Sequence, residues 1–230
     1  MQFTDGFIGY TPNTTVNFSG GDQELMYINH LKTQPEDWYY RHNEITYEYN
    51  SLGHRCKDVE DIDLDNYILF SGCSHVEGIG LELEKTFPYL VADALGIDYY
   101  NLALGGSGVD TVSYNLLTWL SKVKKLPKAV LILWPSHIRF LLQSKDKLEF
   151  VYPGSLNENH RRFLVSGDLL GYFESVSELN KKLIQNCYRD TKIIIIESWE
   201  LEEFDLARDL SHTGIISNGI LAKRLIRKLK

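Results

Sequence analysis

The sequence predicts an α/β protein in which an open parallel sheet carries helices on both faces. Three observations point to it. From Asn66 onward, apolar runs of strand length alternate with longer segments of helical period. One run, Ile193-Ile194-Ile195-Ile196, lacks the polar alternation of a half-exposed strand, so it is buried on both faces, as parallel strands are. Strand, helix and strand then repeat several times, which requires crossovers that lay helices against the sheet.

The elements follow in order. Residues 1–65 are rich in Asn, Thr, Tyr and acids, with a turn signal at Asn50-Ser51-Leu52-Gly53 and no sustained period. They read as an irregular N-terminal extension packed on the domain formed by residues 66–230. Strands are expected at Tyr67 to Ser71, Tyr99 to Leu104, Ala129 to Trp134 and Lys192 to Glu197, with a weaker one near Arg162 to Val165. Helices are expected around Phe87 to Leu95, Asp110 to Lys124 and Glu174 to Tyr188. In the last segment, Gly214 to Lys230, the apolar residues Ile215, Leu221, Ala222, Leu225, Ile226 and Leu229 share one stripe and the basic residues oppose it, so it docks as a closing helix.

Composition narrows the function. With 43% apolar and 24% charged residues over 230 positions, the chain is globular and large enough to bury a core without a metal or disulfide staple. Lys and Arg number 24 against 31 Asp and Glu, and a net charge of −7 gives no counterion-release term for nucleic acid or an anionic membrane. The apolar run Ala129 to Trp134 is far short of the roughly 20 residues of a membrane span. The N-terminus lacks the basic and apolar regions of a secretory signal. Cys56, Cys73 and Cys187 are odd in number and widely spaced, which fits neither a disulfide framework nor a CxxC site. A soluble protein of a reducing, cytoplasmic compartment is the expectation, with no cofactor and no metal.

In an open α/β sheet, ligands bind outside the carboxyl ends of the strands. Four strand ends carry chemistry. The first is Ser71-Gly72-Cys73-Ser74-His75, and the second is the glycine-rich turn Asn101 to Gly108, whose N–H groups can face an anion. The third is Trp134-Pro135-Ser136-His137, and the last is Asp209-Leu210-Ser211-His212, just before the closing helix. Taken singly, Ser74 reads as a helix cap, Asp209 as a turn residue and His212 as a partly exposed histidine. Taken together they fit a nucleophile, the base that removes its proton and the carboxylate that orients the base. Asp209 lies three residues before His212, within local reach of Nδ1, which leaves Nε2 to face Ser74. The N–H groups of Ser74 and Gly106 are the candidate oxyanion donors. No Lys-Ser or Lys-Thr follows the glycines, as a P-loop needs. The aromatic stretches Trp38-Tyr39-Tyr40 and Tyr47 to Tyr49 read as packing surface before a sugar platform.

At these residues the chain resembles the SGNH (GDSL-like) hydrolase family, over roughly residues 66–230. Gly72-Cys73-Ser74 stands for its Gly-Asp-Ser block, Asn101 to Gly106 has the spacing of its second block, and Asp209 to His212 matches its Asp-x-x-His. Tyr49-Asn50-Ser51-Leu52-Gly53-His54-Arg55 looks like a segment upstream of the nucleophile in some bacterial and phage members. The resemblance implies a three-layer α/β/α sandwich with a flavodoxin-like parallel sheet, Ser74 as nucleophile, His212 as base, Asp209 as its partner and Gly106 as an oxyanion donor. Two departures stand out: Cys73 replaces the family's aspartate, and Gly-x-Asn-Asp is absent at the third block. Ser136 or His137 is expected to replace the lost asparagine at the oxyanion hole, and Trp134-Pro135-Ser136 with Arg139 resembles a variant block of phage-like members. The implied function is hydrolysis of small acyl esters, such as O-acetyl groups on carbohydrate. An O-acyltransferase using the same acyl-enzyme, and an inactive binding or structural protein on this fold, remain open alternatives.

Overall fold

The structure is a computed structural model and describes residues 1–144, 147–151 and 168–230. The first segment is less irregular than its composition suggests. Strands β1 (Gln2–Thr4) and β2 (Phe7–Gly9) form an antiparallel pair. Strand β3 (Thr14–Val16) pairs with β4 (Tyr47–Tyr49) across the intervening helix α1 (Glu24–Thr33). These elements escape sequence reading for physical reasons. The strands are three residues long, and α1 buries none of its residues, so neither leaves a readable period.

The central sheet holds β5 (Tyr67–Ser71), β6 (Asp98–Asn101), β7 (Ala129–Ile132) and a last strand, Lys192–Ile195, all parallel. Between the third and fourth of these, β8 (Phe140–Ser144) and β9 (Lys147–Val151) form an antiparallel pair that the sequence reading did not anticipate; the last sheet strand is therefore β10. The order β10-β7-β5-β6 becomes 2-1-3-4 when the four parallel strands are numbered along the chain, as in flavodoxin-like sheets. Each strand ends two or three residues earlier than its apolar run implies, apart from β5, because the run continues into the loop as buried residues such as Leu102, Leu104 and Leu133. The expected strand near Arg162 lies outside the described residues.

Alternation along each strand divides the core into two layers. Ile68, Phe70, Leu131 and Ile194 face α3 (Phe87–Leu95) and the closing helix, meeting Phe87, Val91, Leu221 and Leu225. Tyr67, Leu69, Val130 and Ile132 face the opposite way, onto Val112, Leu116 and Trp119 of α4 (Val109–Val123) and Ile184 of α5 (Asp168–Cys187). A short helix α2 (Ser74–Glu77) follows β5, and α6 (Ile215–Leu229) closes the chain. The result is the three-layer α/β/α sandwich. Pro88 in the first turn of α3 and the left-handed Gly96 after it mark that helix's two ends. The α6 start is held from a distance: the Asp205 carboxylate accepts the N–H groups of Ile216 and Ser217, at 3.0 and 2.9 Å. Among the described residues, no helix is long and apolar enough to cross a membrane.

Buried polar groups tie the first 65 residues to this sheet. His54 is fully buried; its Nε2 donates to Ile8 O at 3.2 Å, and Nδ1 accepts from the Tyr100 hydroxyl at 3.0 Å. Tyr100 in turn accepts from Asn50 Nδ2 at 3.0 Å. Burial pushes the His54 imidazole down from 6.5 to about 4. Between those two pH values the unfolded chain binds a proton that the folded chain refuses, so stability falls as pH falls through this window. The gap in unfolding free energy between wild type and His54→Gln should therefore narrow by about 3 kcal/mol from pH 6.5 to pH 4. Urea denaturation at the two pH values measures it, and a gap constant with pH would contradict the neutral buried imidazole.

Candidate active site

The site forms at the carboxyl ends of the strands, where the sheet order reverses between β5 and β7. Ser74 does not cap α2. It is the helix's first residue, Cys73 occupies the cap position, and no side chain makes a capping hydrogen bond. The Ser74 hydroxyl instead lies 2.7 Å from His212 Nε2. His212 Nδ1 lies 2.5 Å from Asp209 Oδ2, so with its proton donated to Asp209 the ring leaves Nε2 free to accept from Ser74.

The last loop explains how three residues suffice for this. Leu210 adopts a left-handed conformation, φ 53°, which turns the chain back on itself. Ala207 N–H bonds His212 O, Leu210 N–H bonds Ala207 O, and Asp209 Oδ1 accepts the N–H groups of Ser211 and His212, each at 3.2 Å. Burial pushes the Asp209 carboxyl up, but the bond and charge of His212 and the two N–H groups outweigh burial and hold it below the ordinary carboxylate range. Asp209 stays ionised. His75 packs edge-on against His212, ring centroids 4.8 Å apart. Burial, then the charges of His212 and Arg139, lower the His75 imidazole to about 4, so it is neutral beside the pair.

A cleft of about 270 Å³ opens over Ser74 and His212, with Gly105 and Gly106 on one wall and Gly20, Gly21 and Arg139 completing the lining. Gly106 has φ 80°, a conformation that a side chain would strain, and it reverses the chain at the cleft wall. The Ser74 N–H lies in the first turn of α2, where no intrahelical acceptor exists, and neither it nor the Gly106 N–H forms a hydrogen bond among the described residues. The Asn101 side chain braces this wall, donating to Val76 O at 2.8 Å and accepting Ala103 N–H at 3.2 Å.

The third block departs from expectation. Ser136 and His137 are exposed and line neighbouring clefts, not the one that holds Ser74. The chain turns directly after Pro135, with Arg139 N–H bonded to Ser136 O at 3.0 Å, and this turn carries Arg139 into the cleft in their place. Cys73, the other departure, is buried in the apolar layer with Val76 and Phe87, where an aspartate would need a partner.

Sequence reasoning also missed Glu77. Fully buried three residues after Ser74, its carboxylate accepts the Gly105 N–H, the Tyr10 hydroxyl at 3.1 Å and the Tyr49 hydroxyl at 3.2 Å. Burial pushes it up to about 7, against the charge of Arg55 and these donors. An acid directly between Val76 and Gly78, three residues after Ser74, was the available signal. Arg55, also buried, donates to Gly78 O and Leu81 O at 2.6 and 2.7 Å and lies over the Tyr47 ring. The aromatic stretches pack: Tyr40, Tyr47 and Tyr49 are buried, Trp38 is half-buried, and Tyr39 is exposed, donating to Glu82.

An α/β/α sandwich of this strand order, with a Ser–His–Asp hydrogen-bonded chain at its switch point, has the architecture that the SGNH resemblance implied. Solved structures with a similar chain course include three carbohydrate esterases. A family 2 enzyme with a carbohydrate-binding domain from Corynascus thermopiles (Myceliophthora fergusii) is 16% identical over 71% of this chain and 65% of its own, TM-score 0.41. A carbohydrate esterase described as having divergent catalytic and non-catalytic binding functions is 15% identical over 71% and 64%, TM-score 0.48. The acetyl xylan esterase Est2A from the rumen bacterium Butyrivibrio proteoclasticus is 17% identical over 71% and 63%, TM-score 0.41. The chain thus spans less than two thirds of the length of each. No protein-family model matches the chain, and no curated protein is similar to it.

Proposed function

We propose that the chain is a serine esterase that hydrolyses small acyl esters, with carbohydrate O-acetyl groups as the substrate class. The observation that carries this reading is the continuous chain of hydrogen bonds from Ser74 Oγ through His212 to a buried, ionised Asp209, opening into a cleft of about 270 Å³. A hydroxyl paired with an oriented imidazole is an activated nucleophile. Ser74 Oγ attacks the acyl carbon while its proton passes to His212 Nε2; the imidazolium then protonates the leaving alcohol, and the acyl group stays on Ser74. Water repeats the sequence with His212 as base and releases the acid. The oxyanion formed in each step meets the N–H groups of Ser74 and Gly106. The size of the cleft supports a short acyl group, and the carbohydrate part follows from the sequence resemblance.

The test is a panel of 4-nitrophenyl esters from acetate to decanoate. Turnover should be highest for acetate or propionate, fall at least about tenfold by octanoate, and drop to a small residual rate, roughly 10⁴-fold or more below wild type, in Ser74→Ala. Equal rates for wild type and Ser74→Ala would remove Ser74 from the reaction.

A further inference from the structure

We propose that Arg139 is the side-chain oxyanion donor of this site, taking over the position of the asparagine that the third block lacks; this rests on the esterase reading above. Acyl transfer needs donors aimed at the charge that develops on the carbonyl oxygen. Among the described residues that line the cleft, the side chains able to donate are Ser74 and His212, which are occupied with each other, and Arg139. The wall opposite makes the need sharper. Gly105 cannot help, since its N–H is already given to Glu77, and the Glu77 carboxyl sits one peptide behind the oxyanion wall, where its ionised form opposes the charge forming on the substrate. A cation across the cleft offsets it.

Arg139 is placed for that task. The segments after β5 and β7 flank the reversal of strand order, and they supply Ser74 and Arg139 respectively. The Arg139 backbone is locked on three sides. Its N–H bonds Ser136 O, and the next-but-one N–H, of Leu141, bonds Asp110 Oδ2 at 2.6 Å. Its carbonyl approaches Gly108 so closely that a Cβ there would lie 2.2 Å from the oxygen. Gly108 is thereby explained: it makes room for Arg139. Arg139 is half-buried, and its guanidinium forms no hydrogen bond or ion pair among the described residues, in a chain with seven more acids than basic residues. His212 shares the cleft with it, and the His75 ring packs against His212.

The experiment compares wild type, Arg139→Ala and Arg139→Lys on two esters that share an acetyl group, neutral methyl 4-acetoxybenzoate and anionic 4-acetoxybenzoate. A donor to the oxyanion serves both equally: kcat should fall about 10²-fold on each in Arg139→Ala, with a smaller change in KM, and Arg139→Lys should recover part. Added guanidinium ion should restore turnover in Arg139→Ala and leave wild type unaffected. A loss confined to the anionic ester would overturn the proposal and make Arg139 a substrate-recognition residue. A loss below about threefold on both would leave it a solvated side chain. Covalent labelling of Ser74 by a 4-nitrophenyl phosphonate, read by intact mass, repeats the comparison without turnover. Labelling should be about 10²-fold slower in Arg139→Ala. Wild type that labels at Ser74 with no difference between the variants overturns the Arg139 role alone, whereas wild type that neither labels nor hydrolyses overturns the esterase reading and this inference with it.

Discussion

Ser74→Ala, His212→Ala and the double variant should all retain the same small residual esterase rate, roughly 10⁴-fold or more below wild type. The 2.7 Å contact makes nucleophile and base one unit, so removing either disables both, and the second substitution has nothing left to remove. Asp209→Asn should cost less. Its remaining oxygen can still accept the Ser211 and His212 N–H groups that shape the loop, but an amide facing Nδ1 favours the wrong imidazole tautomer. Initial rates on 4-nitrophenyl acetate for all four variants, each checked for a cooperative melting transition, measure this. Losses that multiply in the double variant would mean that Ser74 and His212 act independently.

The largest expected effect on stability lies outside the cleft. Asp22 and Arg208 form an ion pair at 2.6 Å with side chains 1% and 4% exposed, and Asp22 also accepts the Tyr47 hydroxyl at 2.5 Å. Arg208 reaches on to Asn17 O and stacks over Phe18. Asp22→Ala leaves a buried guanidinium without its counter-charge, which costs about 3–5 kcal/mol. Against the 5–15 kcal/mol of a typical domain this lowers the melting temperature by about 10 °C. Replacing both partners, as Asp22→Ala with Arg208→Met, should recover most of the loss, because no charge is then stranded. Urea denaturation separates the cases; a single variant within 1 kcal/mol of wild type would show that Arg208 finds another partner or solvent. Since Arg208 directly precedes Asp209 and its N–H holds Gly80 O at 3.0 Å, the single variant should also lose esterase rate before it unfolds.

The parts legible in the sequence are those whose information is local. The isoleucine run of β10 and the five-residue β5 follow from short unbroken apolar stretches, and the helical stripes of α4 and α6 from a period of 3.6, all of which depend only on neighbours along the chain. Asp209 and His212 are likewise visible, because three residues and a left-handed turn bring their side chains together without help from elsewhere. Ser74 and Gly106 are visible because a parallel sheet places its sites at strand ends whatever the loops do.

What the sequence left undecided depends on residues far apart. Nothing near Asp22 announces a partner 186 positions away, and a short α1 with no fully buried residue conceals that the first segment reaches the cleft at all. Glu77 shows as one acid in an apolar stretch until Tyr10, Tyr49 and the Gly105 N–H converge on it from three other parts of the chain. Ser136 and His137 stand at the correct strand end, yet a loop's direction after a strand is set by what it packs against. Here it packs against the bare backbone of Gly108, which admits the Arg139 carbonyl and places Arg139 on the lining of the cleft that holds Ser74. Period and spacing therefore determined the sheet, its helices and the Ser–His–Asp residues. Steric fit and buried charge pairing, which exist only once the chain has closed on itself, decided which further groups stand beside them.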